Sequence, residues 1–214
     1  MSGPPEERGR VNQKRRTRAA IVAACQELIT AGADINMPAV ARAALVSEPT
    51  AYRYFPDLAS LLEEALAGIE PDPAAALAAG ADPGDPVERV AYAAELLAKL
   101  VIERQGAIRA LISVSIARRT ARQVRPGYRF ALIDQALVPL SGCEPGIDAS
   151  TLEQLRRDLA VVISAEAVLT LTDLYGLDSD AAVASIVHTA RLVTRATLGP
   201  MRQLDRCKPP RTMS

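Results

Sequence analysis

The 214-residue chain is short of aromatics, with five tyrosines, two phenylalanines and no tryptophan, and it has one histidine and three cysteines. Each shortage excludes something. With a single histidine, no GxSxG and no glycine-rich phosphate loop, the chain offers no triad, no metal-ligand cluster and no nucleotide cradle, so no catalytic residue, metal or cofactor is expected. Cys25, Cys143 and Cys207 are odd in number, widely spaced and without a CxxC. That argues against a disulfide framework and for thiols kept reduced in the cytoplasm. The longest apolar run, Leu159 to Leu171, is too short for a bilayer and carries Glu166, and the N-terminus has no apolar leader. Neither a membrane span nor a signal peptide is expected.

The net charge is zero, which hides an asymmetry. Arg8 to Arg18 holds six basic residues and no acid, and Arg8 to Phe55 holds eight basic against three acidic. A run of this kind serves either as a solvated face or as the contact for a polyanion.

What is present is helical periodicity almost throughout, with no alternating strand pattern, so an all-α fold is expected. Residues 1–10 and 207–214 read as tails. A first helix from Lys14 to Ala31 places Ile21, Ala24, Cys25, Leu28 and Ile29 on one face. Asn36 and Ser47 cap two short helices, each with a proline (Pro38, Pro49) in the first turn, where its missing N–H is harmless. A fourth helix runs from Leu58 to Ile69. Glu70 to Pro86 is a Pro-, Ala-, Gly- and Asp-rich connection with room for a short helix. Asp85-Pro86-Val87-Glu88 is a capping box that opens the next helix, and further helices are expected at about 106–121 and 127–139. A second capping box, Ser150 to Glu153, starts a long helix to Tyr175, and a last helix runs from Asp180 to Leu198. The domains are therefore expected at 11–69 and 86–204, joined by 70–85.

The stretch Val40 to Phe55, VARAALVSEPTAYRYF, gathers three of the aromatics within four positions. Val40, Ala41, Ala44, Val46, Ala51 and Phe55 have the spacing to pack two crossing helices, a helix-turn-helix candidate. Glu48, Pro49, Thr50, Arg53 and Tyr54 then face outward with Tyr52 at the margin. Hydroxyls and a guanidinium suit phosphate oxygens and base edges; the alternative is that the aromatics are ordinary core. Glu48 either favours the helix macrodipole or accepts from a cytosine amino group. Arg18 belongs to the basic cluster of the first helix and is counted with the DNA-facing residues.

Residues 14–69 resemble the DNA-binding domain of the TetR family. RRTRAAIVAACQELITAG is similar to its first helix, INMPAVARAALVS to its second helix and turn, and EPTAYRYFPDLASLLEEAL to its recognition helix and the opening of its fourth. The specific part is Thr50-x-Tyr52-x-x-Phe55, followed by a proline and a leucine-rich helix. The resemblance implies that Asn36, Met37, Ser47, Pro49, Thr50, Tyr52 and Arg53 meet double-stranded DNA, with Thr50 and Tyr52 on phosphates. Two departures stand out: Leu45 where the family usually has a turn glycine, and Leu58 where it usually has a lysine.

Beyond the connection, the last two helices are apolar nearly all round and should pair as an antiparallel hairpin. One face is left for a second subunit, giving a four-helix bundle and a homodimer. Val162, Leu169, Val187 and Ala190 are the candidates for that interface. In the hairpin register Glu166 falls opposite His188. The TetR resemblance also implies a small-molecule pocket between Pro86 and Pro139. Its candidates are Tyr92, Leu96, Leu100, Ile112, Ile116, Tyr128 and Ile133, suited to a mostly apolar effector. The leading expectation is a dimeric transcriptional regulator, a repressor released from a palindromic operator by that effector. A DNA-binding protein without a ligand switch, either activator or architectural, is the alternative, and a small helical enzyme a more distant one.

Overall fold

The computed structural model describes residues 5–82, 84–117, 127–142 and 147–199, and every regular element among them is helical. The helices are α1 (Pro5–Thr30), α2 (Met37–Ala43), α3 (Glu48–Tyr54), α4 (Leu58–Ala67), α5 (Pro73–Ala78), α6 (Pro86–Glu103), α7 (Gln105–Ala117), α8 (Tyr128–Leu137), α9 (Ala149–Val162), α10 (Ala165–Leu169) and α11 (Ser179–Leu198). A 3-10 turn, Val138–Gly142, extends α8, and a π-helical turn, Thr170–Leu174, follows α10. No described helix is long and apolar enough to cross a membrane.

The chain divides into two compact units, one joining the residues through Glu70 with α7, the other joining Pro71–Ile102 with the residues from Gly127 on. In the first unit the expected stripe of α1 is buried: Ile21, Ala24, Cys25 and Ile29 meet Val40 and Ala41 of α2, Ala51 and Phe55 at α3, and Leu61, Leu62 and Leu66 of α4. Burial pushes the Cys25 thiol up to about 12, so it packs as a small apolar group and not as a nucleophile. Ala107 and Leu111 of α7 close the same core against α4. Arg104, in the turn before α7, donates to the Ile69 carbonyl at 3.2 Å.

Helix α1 starts earlier than the sequence suggests. Its first turn begins at Pro5, inside the stretch expected as a tail, because a proline at the first helical position has the right φ and loses no helical hydrogen bond. The tail expected at 207–214 lies outside the described residues.

In the second unit, Asp85 caps α6 as expected, accepting from the Val87 and Glu88 amides at 2.8 and 3.3 Å. The start of α9 differs: Asp148, not Ser150, is the cap, taking the Thr151 amide at 2.9 Å. The long helix expected from Ser150 to Tyr175 is also broken. Ile163 leaves helical geometry (φ −86°, ψ 75°) and Ser164 is extended (φ −147°, ψ 154°), its hydroxyl oxygen accepting from the Ala167 amide at 3.1 Å. A serine inside an apolar helix offers the backbone a local cap, and here the cap wins. The break falls two residues before Glu166, which an uninterrupted hairpin would place opposite His188. Glu166 instead pairs with Arg129 of α8 at 3.3 Å, and His188 is exposed on α11.

The start of α6 is tied to α11 by a two-toothed ion pair, Glu88 with Arg191 at 3.0 and 2.7 Å, and Arg195 stands 3.7 Å from the same carboxylate. The hydrogen bonds from Arg191 hold the Glu88 carboxyl below its ordinary value of 4.5. A carboxyl with a lowered folded pKa stabilises the fold fully above its unfolded pKa, and that contribution is lost as pH falls through the folded value. Glu88→Gln is therefore expected to be less stable than the parent at pH 7. The gap should close as the pH drops below about 4. Urea denaturation at the two pH values measures this, and a gap that persists in acid would show that the carboxylate charge is not the cause.

Candidate nucleic-acid interface

The helix-turn-helix is built from local signals. Asn36 accepts from the Ala39 amide at 2.9 Å to start α2, and Ser47 accepts from the Thr50 amide at 3.3 Å to start α3. Between them α2 ends in two turn bonds, Val46 N–H to Ala41 C=O at 2.9 Å and Leu45 N–H to Arg42 C=O at 3.1 Å. This is the Schellman pattern, which needs a left-handed residue just past the cap. Leu45 is that residue, at φ 55°, the one non-glycine with positive φ among the described residues. The first helix ends in the same pattern with Gly32 in the equivalent place, at φ 64°. The departure at Leu45 thus leaves the turn geometry intact and shifts its cost onto a leucine. Leu45 is 93% exposed and packs on nothing that would be lost. Leu45→Gly should accordingly raise stability by about 1 kcal/mol. Thermal unfolding of the variant checks it, and a fall in melting temperature would mean that unfolded-state freedom outweighs the relieved strain.

Beyond this turn, Ser47, Glu48, Pro49, Tyr52 and Arg53 are exposed on α3, and Thr50 is half-buried beneath them. The Ser47 hydroxyl donates to Thr50 Oγ1 at 2.9 Å, which leaves the threonine hydroxyl hydrogen available to a phosphate oxygen. Tyr52 is 48% exposed, and the Arg53 guanidinium lies 5.6 Å from the centre of the Tyr54 ring. The opposite face of the helix carries Ala51 and leads to the adjoining Phe55, both enclosed. The aromatics therefore divide between the two roles considered for them: Phe55 is core, Tyr52 is surface, and Tyr54 is half-buried between.

Two residues counted with the DNA-facing set are occupied elsewhere. Met37 is buried among the residues that join α1 and α2. Arg18, its side chain still 44% exposed, bonds to Glu64 and the Tyr54 carbonyl and lies against the Phe55 ring. Asn36 is exposed, but its side-chain oxygen is the α2 cap. Leu58 packs against the core at the first position of α4, beside the cap Asp57. Lys14, Arg15 and Arg16 are exposed on α1, ahead of its first fully buried residue, Ile21. Arg42, exposed in the last turn of α2, is a further base next to the turn; its position in the apolar-poor half of that helix was the available signal.

The other candidate sites are more dispersed. Tyr92, Leu96 and Leu100 form a half-buried stripe along α6, while Tyr128 and Ile133 of α8 are buried. A Cβ at Gly80 would fall 2.4 Å from the Tyr92 hydroxyl, so that glycine makes room for the ring. Ile112 lies on α7 in the first unit, and the Ile116 side chain is outside the described residues. Val162 and Leu169 are half-buried, whereas Val187 and Ala190 are already enclosed within their own unit. Nearby exposed apolar side chains are Val161 on α9 and Leu192 on α11. Among the described residues no group of histidine, cysteine and acid side chains could hold a metal.

Residues 20–65 match the sequence model of the bacterial regulatory proteins of the tetR family. No curated protein matches the chain.

Proposed function

We propose that the chain, whose residues 20–65 match the tetR-family model, is a DNA-binding transcription regulator that works as a homodimeric repressor released from a palindromic operator by a small, mostly apolar effector. The observation that carries the DNA-reading part is the outward face of α3, where Ser47, Tyr52 and Arg53 are exposed beside the half-buried Thr50, while Ala51, Phe55 and part of Tyr54 pack into the core. Exposed Lys14, Arg15 and Arg16 add sequence-independent attraction to the phosphate backbone.

Support for the dimer comes from α9 and α11, which pack on each other and leave Val161 and Leu192 in solvent. Two such pairs bury those side chains as a four-helix bundle, and a twofold axis sets two α3 helices about one DNA turn apart. The half-buried stripe of Tyr92, Leu96 and Leu100 supports an apolar effector in the second unit. Such a regulator works in the cytoplasm, where Cys25 stays reduced.

Selection of duplexes from a randomised DNA pool tests the reading. Enrichment of a twofold-symmetric sequence with half-sites about 10 base pairs apart is expected. No enrichment would refute DNA recognition, and enrichment of an asymmetric single site would refute the dimer. Release of the selected duplex in a screen of apolar metabolites tests the effector; a duplex that nothing releases favours a regulator without a ligand switch.

A further inference from the structure

We propose that Arg18 is a positioning residue for recognition by α3, locking the end of that helix to α1 and α4, and is not one of the groups that bind phosphate. The proposal rests on the DNA-binding role of α3 argued above.

Helix α3 has seven residues, and only Ala51 within it is fully enclosed. A helix that presents most of its surface to a partner has little left with which to hold itself, so its orientation rests on its packing against α2 and on its two ends. The N-terminal end is held by the Ser47 cap. At the other end the backbone leaves helical geometry at Phe55 (φ −131°, ψ 107°), and the Tyr54 carbonyl is among those that find no partner inside the helix.

Arg18 fills that place. Its Nη1 donates to the Tyr54 carbonyl at 3.0 Å, and its guanidinium carbon stands 4.2 Å from the centre of the Phe55 ring. Its Nε donates to Glu64 Oε1 at 3.1 Å and its Nη2 to Glu64 Oε2, a fork-to-fork pair with α4. All three nitrogens are thus engaged, on groups from two other stretches of chain, the end of α3 and α4. Eight residues on along α1, Gln26 repeats the tie by donating to the Ala65 carbonyl of α4 at 3.1 Å. α1 and α4 therefore form a fixed frame, and Arg18 is the point where the end of α3 joins it.

Glu64→Gln separates this role from a phosphate contact because the two predict opposite signs. If Arg18 bound DNA, removing the competing acid would free the guanidinium, tighten binding and steepen the dependence on salt. As a lock, the pair needs its carboxylate, and its loss lets α3 leave the competent orientation. With the full chain and a duplex selected by the parent protein, Glu64→Gln and Arg18→Gln should each weaken binding about tenfold, as expected if the competent orientation falls to about a tenth. The double variant should be no weaker than either single one. The salt slope of Glu64→Gln should match the parent's, its affinity for a scrambled duplex should not fall, and the α3 amides should exchange faster in both variants. Tighter binding with a steeper slope in Glu64→Gln overturns the proposal, as do unchanged affinity and unchanged exchange. A parent protein that selects no duplex refutes the DNA reading and this proposal together, whereas selection by the parent with unaffected variants refutes this proposal alone.

Discussion

Replacing Arg53 by alanine is expected to weaken binding to the selected duplex by a factor between about 10 and 100, the range for losing one charged contact in a protein–DNA interface. The helical fold should be unchanged, because the side chain is exposed and its neighbour in the structure is the Tyr54 ring at 5.6 Å, not the core. The slope of log affinity against log salt separates two ways of losing affinity. If Arg53 meets a phosphate, the slope should fall by about 0.9 for each half-site and the loss should be the same on any duplex. If it meets a base edge, the slope stays and preference at one position relaxes. Tyr52→Phe removes one hydroxyl from the same face and should cost less, about threefold to tenfold. Full affinity in both variants, measured by fluorescence anisotropy, would remove α3 from the interface.

Leu192→Asp should convert the protein to a monomer, and Val161→Asp should do the same. These positions are better probes than Val187 or Ala190. The latter two are enclosed by their own unit, so a charge there would unfold the protomer and say nothing about assembly. Val161 is 74% and Leu192 52% exposed within one chain, so an aspartate at either is hydrated and tolerated by the protomer. In a closed bundle it would instead be buried opposite its own twofold copy, at a cost of about 3–5 kcal/mol. Sedimentation at micromolar concentration should show the parent as a dimer and the variants at half its mass. DNA affinity should fall by more than about 100-fold, since each half-site is then bound alone. A parent that sediments as a monomer, or variants that remain dimers, would place the interface elsewhere or remove it.

Much of the DNA-binding unit was legible before any coordinates, and the reason is that its signals are local. Asn36 and Ser47 cap helices from within three residues of the amides that they take, and Pro38 and Pro49 tolerate only the first turn. The period of Ile21, Cys25 and Ile29 reports which side of α1 is buried whatever the partner is. Residue type at a turn is a weaker guide. The left-handed turn forms at Leu45 without its usual glycine, because two backbone bonds and the packing of α2 on α3 outweigh a local strain of about 1 kcal/mol.

The sequence by itself determined an all-helical fold, the caps of α2, α3 and α6, the buried face of α1 and the exposure of Arg53 on α3. Partner choice among polar side chains needed the tertiary structure. Arg18 reads as one more base in a basic run, and only folding brings Glu64, 46 positions away, onto its guanidinium. Glu166 pairs with Arg129, 37 positions back, just after a serine cap that interrupts the chain between α9 and α10. The tertiary structure also decided which apolar positions are spent, enclosing Val187 and Ala190 while leaving Val161 and Leu192 in water. Caps and helical period are settled within a turn or two of chain, whereas an ion pair or a buried face depends on which distant segment arrives, and that is the outcome of packing the whole unit.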